Sequence, residues 1–152
     1  MPRAGFTAIA SGTIRFGMDG HWYCDDERIT NPAICRLYAR AMTVDPDGTA
    51  RLELGEDRAV VVVEDTPWVV RRVDGDPGTG FRITLNDGSV WPLDVTTLDI
   101  GAGHVLYCRA RNGVRVRFLR SPQYELLAHA EADPDGPLLR ARGGTVRLGP
   151  AE

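Results

Sequence analysis

The sequence predicts an α+β protein, mostly β, made of two small domains that are related by an internal duplication. Most of the 152 residues fall into short segments of alternating polarity, separated by turn signals from 17 Gly and 10 Pro. Two segments instead repeat apolar residues with helical spacing. The order of hairpin turn, helix, Asp-Pro-Asp-Gly turn and strand occurs twice, beginning near residues 19 and 112. We therefore expect a small domain of hairpin, helix and strands at 1–64, and a larger β domain at 65–152 that is closed by the second helix.

Both predicted helices begin with a capping residue followed by proline, which suits the first helical turn. The first helix is predicted over residues 32–42, with Asn31 as its N-cap. Its buried stripe is expected to be Ile34, Leu37, Tyr38 and Ala41. The second helix is predicted over 122–131, with Ser121 as its cap. Its buried stripe is expected to be Tyr124, Leu127 and Ala128.

Three hairpins can be read in register, each around a three-residue loop that ends in glycine, at 18–20, 86–88 and 111–113. A type I turn followed by a left-handed Gly brings apolar side chains together on one face. The predicted cross-strand pairs are Phe16/Trp22, Ile14/Cys24, Ile83/Trp91, Phe81/Leu93, Ala110/Val114, Cys108/Val116 and Leu106/Phe118. Segment 59–63 is apolar on both faces and predicts a central buried strand. The repeated order of elements has an alternative explanation, because each element is locally favourable.

The charge pattern limits the classes of function. The chain carries a net charge of −3, which argues against nonspecific nucleic-acid binding. The last third is nevertheless basic, so it can attract an anionic ligand or an acidic surface. No run of about 20 apolar residues is present, so no membrane span is expected. Residues 1–12 lack a signal-peptide pattern, and three cysteines without a close pair favour reduced thiols and a cytoplasmic location.

No motif in the sequence names a reaction. The side chains that could in principle bind zinc are His21, Cys24, Cys35, His104 and Cys108. Cys24 and Cys108 fall on apolar strand faces, so we favour structural cysteines and expect neither a metal nor a cofactor. The acidic cluster at 25–27 lies near His21, and we favour a solvated loop over acid–base catalysis there. An enzyme is therefore not the favoured interpretation.

Arginines on the polar face of the third hairpin are the sharpest functional signal. In the predicted register Arg109 lies opposite Arg115, and Tyr107 lies opposite Arg117. Like charges directly opposite each other are unfavourable, so something should offset them. The two candidates are a bound anion, which guanidinium groups fit well, and pairing with acidic residues of the N-terminal domain. Arg111 in the turn and Arg120 after the strand extend this predicted ligand site.

Asp65 and Trp68 follow the predicted central strand at the expected domain junction. Trp68 could stack on a flat ligand, or it could be an aromatic plug that packs the domains together. Trp22 and Trp91 fall on core faces and are expected to be structural.

Five short motifs occur in a family-specific order: DGHWY at 19–23, VEDTPW at 63–68, RNGVRVRF at 111–118, YEL at 124–126, and the glycines between 143 and 149. With them the chain resembles the bacterial domain-of-unknown-function family twelve-eighty-five from about residue 15 to 149. The resemblance implies two domains related by duplication, the C-terminal one superficially like a pleckstrin-homology barrel. It also implies a site between the domains for a nucleobase-containing ligand, and a signalling role. The chain departs from the family in having little N-terminal extension and Thr30-Asn31-Pro32 where a basic residue is usual.

Together these observations predict a non-catalytic, regulatory binding module for an anionic nucleobase-containing small molecule. The alternative is an interaction domain that docks an acidic protein on its basic sheet face. The predicted ligand-binding residues are Asp65, Trp68, Arg109, Arg111, Arg115, Arg117 and Arg120.

Overall fold

A computed structural model describes residues 13–148, which divide into two compact units. Unit 1 comprises the chain up to Trp68 together with Asn86–Gly88, and unit 2 comprises Val69–Leu85 and the chain from Ser89 onward. Residues 1–12, for which no signal peptide is predicted, and the last motif glycine, at 149, lie outside the described residues. The predicted α+β class with mostly β structure is confirmed.

The described residues of unit 1 form a six-stranded sheet and one helix. In chain order its elements are β1 (Ile14–Phe16), β2 (Trp22–Cys24), β3 (Glu27–Arg28), α1 (Pro32–Ala41), β4 (Met42–Val44), β5 (Ala50–Leu54) and β6 (Asp57–Val63). The strand order is β3-β2-β1-β6-β5-β4. Strands β1 and β6 are parallel, and every other neighbouring pair is antiparallel.

Up to residue 148, unit 2 forms a second six-stranded sheet, one helix and a two-stranded pair. Its elements are β7 (Val69–Asp76), β8 (Gly80–Leu85), β9 (Val90–Pro92), β10 (Asp99–Ile100), β11 (Leu106–Ala110), β12 (Val114–Phe118), α2 (Arg120–Leu127), β13 (Leu138–Ala141) and β14 (Gly144–Arg147). Short 3-10 turns at Val95–Thr97 and Ala102–His104 flank β10. The sheet order is β10-β11-β12-β7-β8-β9, and β13 pairs with β14. The central pair β7 and β12 is parallel.

The two sheets have the same topology. Read from the opposite edge, the sheet of unit 2 runs β9-β8-β7-β12-β11-β10, and its single parallel pair is again central. By position the hairpin of β11 and β12 therefore matches β5 and β6, and the hairpin of β1 and β2 matches β7 and β8. The predicted alignment, which placed loop 18–20 on loop 111–113 and one helix on the other, is wrong. Duplication itself and the likeness to a pleckstrin-homology barrel stay predictions.

The predicted hairpin registers are confirmed. Phe16 pairs with Trp22, Ile83 with Trp91, and Ala110 with Val114. The loop at 111–113 differs from the predicted type I turn, because Arg111, Asn112 and Gly113 have φ of 44°, 66° and 89°. Asn112 and Gly113 are residue types that tolerate the left-handed region, and Arg111 adopts it as well.

The core of unit 1 forms around helix α1 and the first hairpin. Asn31 caps the helix as predicted, and its side chain accepts hydrogen bonds from the N–H groups of Ala33 and Ile34 at 2.9 and 3.3 Å. The Trp22 ring packs edge-on against Tyr38, with the centroids 5.5 Å apart. Leu37, predicted to be buried, is 42% exposed, because the buried side of the helix is centred on Tyr38 and Ala39.

Helix α2 begins and ends earlier than predicted and buries another face. It starts at Arg120, so Ser121 lies inside the first turn and makes no cap. Proline is still acceptable there, since the first-turn N–H groups need no helical partner. Pro122 and Leu126 are buried one turn apart, whereas Tyr124 is 63% exposed.

Strand β6 is central but is not buried on both faces. Val61 is buried, while Val60 and Val62 are 56% and 50% exposed. The sheet of unit 1 therefore leaves one side of this strand open, and the prediction of a fully buried strand over 59–63 is wrong.

Candidate functional site

The hairpin of β11 and β12 presents arginines on the outer face of the unit 2 sheet. Arg109 pairs with Arg115, and Tyr107 pairs with Arg117, as the three-residue loop predicted. Cys108 and Val116 alternate with them and point into the core, where both are almost completely buried. This alternation of side chains places two guanidinium groups opposite each other without any irregularity in the strands.

Arg115 is held by two partners of its own unit. Its guanidinium carbon lies 3.6 Å from the centroid of the Tyr107 ring. Its Nη2 donates to Asp99 Oδ2 at 3.2 Å. Asp99 lies on β10, where it pairs with Tyr107. Arg115 therefore lies between an aromatic face and a carboxylate, and part of its side chain remains in contact with solvent.

Arg109 has no such compensation. Its Nη1 donates to the carbonyl oxygen of Gly113 at 2.8 Å, and its backbone N–H donates to Thr97 Oγ1 at 3.2 Å. Among residues 13–148, no carboxylate lies within ion-pair distance of Arg109. Arg109 is thus an exposed cation, and its guanidinium group is oriented by one hydrogen bond to a carbonyl oxygen.

These side chains line a groove in unit 2 with a volume of about 440 Å³. Its charged lining residues are Arg109, Arg115 and Asp99, so the groove carries one net positive charge. The rest of the lining is Thr96, Thr97, Leu98, Tyr107 and Cys108. A volume of this size can hold a small organic molecule.

The 3-10 turn at the edge of the groove is fixed by Asp94. Its Oδ1 accepts from the Thr96 N–H at 3.0 Å and from the Thr96 hydroxyl at 2.5 Å. The Thr97 hydroxyl donates to the Asp94 carbonyl oxygen at 2.7 Å. Both threonine oxygens are therefore oriented, and that of Thr96 can still accept a bond from a ligand.

Gly101 supports the aromatic floor of the groove. A β carbon at this position would lie 2.7 Å from Tyr107 Cε1 and 3.3 Å from its Cδ1. A glycine therefore lets the Tyr107 ring lie directly against the backbone, where the tyrosine is only 6% exposed.

The groove lining includes one thiol, that of Cys108, which is buried. Burial raises the pKa of the Cys108 thiol to about 12, so this sulfur is a protonated hydrophobe and not a nucleophile. Within residues 13–148 no three His, Cys, Asp or Glu side chains are grouped so as to hold a metal ion. What the groove offers is hydrogen-bond donors, positive charge and a flat guanidinium surface.

A hollow in unit 1 contains an arginine whose charge is balanced by carboxylates. Its volume is about 290 Å³, and Arg15 lies on its wall. The Arg15 guanidinium lies 3.1 Å from a Glu64 carboxylate oxygen and 3.6 Å from one of Asp26, and it stacks on Tyr23 at 4.0 Å. Two carboxylates neutralise this arginine, so we favour the unit 2 groove as the anion site.

The other predicted arginines lie outside the groove lining. Arg111 is in the hairpin loop, with its guanidinium carbon 5.9 Å from the Trp91 ring centroid and its Nη1 3.5 Å from Ser89 Oγ. Arg117 follows Arg115 on the same face and pairs in register with Val69 of β7. Arg120 is exposed at the first position of α2.

Trp68 presents no stacking face. It is 3% exposed, and its indole N–H donates to the Ala39 carbonyl oxygen at 3.0 Å. The nearby Thr66 hydroxyl donates to the Trp68 carbonyl oxygen at 2.7 Å. The structure therefore corrects the ligand-stacking role predicted for Trp68, which instead packs against helix α1. Asp65 is half-buried in unit 1 and is not among the groove residues.

Sequence reasoning missed Asp99, Thr96, Thr97 and Gly101. The capping pattern Asp94-Val-Thr-Thr was a usable signal for the turn. Nothing in the sequence indicated that β10 would pair beside Tyr107, because β10 has only two residues.

Known proteins supply a match in structure. No family model and no curated protein matches the chain in sequence. The chain is similar in structure to a DUF1285 family protein from Silicibacter pomeroyi DSS-3, with a TM-score of 0.72 and 19% sequence identity. The superposition covers 90% of this chain and 79% of that protein. The chain has the DUF1285 fold. A second DUF1285 family protein, from Shewanella baltica OS155, is similar with a TM-score of 0.61 and 15% sequence identity. That superposition covers 78% of this chain and 92% of the other protein.

The DUF1285 fold likeness supports the family assignment that the ordered sequence motifs predicted. At these identities it establishes the fold and says nothing of ligands or activity. Among residues 13–148, no helix is long and apolar enough to cross a membrane.

Proposed function

We propose that this DUF1285-like chain is a non-catalytic binding module, and that the groove of unit 2 holds a small anionic ligand. The observation that carries the proposal is the Arg109–Arg115 pair, in which only Arg115 has a carboxylate partner, that of Asp99, among residues 13–148. Two cross-strand arginines repel each other. An anion bound between them would attract both guanidinium groups and so offset that repulsion.

The groove also offers a surface for a ring. One face of the Arg115 guanidinium lies on Tyr107, and its side chain is 41% exposed. Guanidinium planes stack on flat aromatic groups as well as pairing with anions. A ring-containing anion could therefore lie on Arg115 with its charged group toward Arg109, which replaces the stacking role once predicted for Trp68.

The family resemblance adds the finer parts of this proposal. It implies a nucleobase-containing ligand and a regulatory or signalling role, and the cysteine pattern adds a cytoplasmic location. It also implies that the shared strand order of the two sheets arose by duplication. We retain these as parts of the proposal, with Arg117 and Arg120 as further contacts of a larger ligand.

The proposal is tested by NMR titration of the full chain with benzoate, phenyl phosphate and adenosine monophosphate. Binding should shift the backbone resonances of Thr96, Thr97 and Arg109. A hydrogen bond to a charged group contributes about 1.5–3 kcal/mol, so Arg109→Ala should weaken binding about tenfold or more.

Arg82→Ala is the matched control. Arg82 is an exposed arginine of the same sheet, on β8, outside the groove lining. An unchanged affinity in Arg82→Ala beside a loss in Arg109→Ala supports the groove. If no probe shifts these resonances at millimolar concentration, the proposed function is wrong.

A second candidate function is docking of an acidic protein on the outer face of the unit 2 sheet. Two exposed arginines, Arg72 on β7 and Arg82 on β8, extend this surface, and Asp74 lies between them as an ion-pair partner of Arg72. Losses of acidic-peptide affinity that are equal in Arg82→Ala and Arg109→Ala would favour this interpretation over the groove.

A further inference from the structure

The groove lining includes one acidic side chain, Asp99, which lies beside Arg115 and therefore affects which anions can bind there. Asp99 Oδ2 accepts a hydrogen bond from Arg115 Nη2 at 3.2 Å, and the Asp99 side chain is 64% exposed. A ligand anion that also bonds Arg115 must therefore come close to this carboxylate. Arg109 has no acidic partner among the described residues and sets no such limit.

We propose that Asp99 biases the groove toward ligands with a single negative charge, such as carboxylates and phosphodiesters, and against phosphate monoesters. This inference rests on the proposed function. A phosphate monoester carries about −1.5 to −2 charges at neutral pH, whereas a carboxylate carries one. The two arginines attract the monoester more strongly than a carboxylate, and the carboxylate of Asp99, which repels it up to twice as strongly, offsets part of that advantage.

The size of this bias follows from Coulomb's law. Two unit charges roughly 6 Å apart in water interact strongly enough to change an affinity about threefold. For a doubly charged ligand the effect is squared, to about tenfold. Removing the charge of Asp99 should thus strengthen binding of both ligands, and the gain for the doubly charged one should be about threefold larger.

Asp99→Asn is the informative variant, because the asparagine oxygen can still accept the bond from Arg115. Asp74→Asn is its matched control. Asp74 lies on the same sheet and forms an ion pair with Arg72 at 3.0 Å, outside the groove lining. Both variants change the net charge equally, so a difference between them reports a local effect.

The experiment measures the affinity of the full chain for benzoate and for phenyl phosphate at about pH 8, above the second pKa of a phosphate monoester, near 6. In Asp99→Asn the preference should move about threefold toward phenyl phosphate, and in Asp74→Asn it should stay unchanged. An unchanged preference in Asp99→Asn, or equal shifts in both variants, overturns the role of Asp99 while leaving the groove as an anion site. If the native chain binds neither probe, the proposed function fails and the inference fails with it.

Discussion

Replacing Gly101 by alanine should disturb the floor of the groove without touching an arginine. The added β carbon would lie 2.7 Å from Tyr107 Cε1, well inside van der Waals contact. Gly101 has φ of −97°, which alanine adopts freely, so the effect is purely steric. The backbone is also fixed, because the Gly101 N–H donates to the Val105 carbonyl oxygen at 2.8 Å. The tyrosine ring is therefore the group that has to move.

The expected loss of stability follows from the burial of Tyr107. Overfilling a packed site typically costs about 1–3 kcal/mol. In a chain of this size each kcal/mol lowers Tm by roughly 2–4 °C, so the variant should melt several degrees lower. A displaced Tyr107 also no longer supports Arg115, so benzoate affinity should fall as well.

A double-mutant cycle with Tyr107→Leu isolates the clash. Urea unfolding of Gly101→Ala, Tyr107→Leu and the double variant should show a coupling of about 0.5–3 kcal/mol, because the smaller leucine leaves room for the β carbon. Additive effects of the two substitutions would refute the argument, since they would mean that Gly101 and Tyr107 do not compete for the same space.

Two further predictions concern unit 2. Leu126 is buried and Tyr124 is exposed, so Leu126→Ala should lower the free energy of unfolding by about 2–5 kcal/mol, and Tyr124→Ala should change it by less than about 0.5 kcal/mol. Urea unfolding measures both values, and a larger loss in Tyr124→Ala than in Leu126→Ala would contradict the observed buried face of α2. Hydrogen bonds from a backbone N–H and from Arg147 lower the pKa of Asp133 below its usual value of 3.8. Asp133 therefore contributes stability above pH 3.8 that is lost as the pH falls through its folded pKa, so native protein should lose more stability on acidification than Asp133→Asn.

The hairpins could be predicted because strand alternation leaves few alternatives. A two-residue loop at 112–113 would have mixed arginine and valine on one face, and only the three-residue loop separated them. The paired positions of Arg109 and Arg115 follow from that choice alone. This part of the candidate site was therefore accessible from the sequence.

The rest depended on contacts that local patterns do not encode. Segment 59–63 of β6 is apolar at every position, but one face of its sheet is left uncovered, so Val60 and Val62 are exposed. Helix α2 buries Leu126 and not Tyr124, since its start is set by the end of β12 and not by Ser121. Periodicity specifies a helical segment more reliably than it specifies where the helix begins.

The two arginines of the pair should behave differently when no ligand is bound. The sequence left two ways of offsetting their repulsion, a ligand or acids of the N-terminal domain, and the structure shows that Asp99 and Tyr107 of the same unit hold Arg115. Arg115→Ala should therefore destabilise the ligand-free protein, by about 0.5–1 kcal/mol, as expected for an exposed cation–π contact and a surface ion pair.

Arg109→Ala removes a like-charge neighbour and one bond to a carbonyl, so it should leave the stability unchanged or raise it slightly. Urea unfolding of both variants without ligand checks this difference. If Arg109→Ala destabilised the protein as much as Arg115→Ala, Arg109 would be a structural residue, and the case for an anion in the groove would lose its main support.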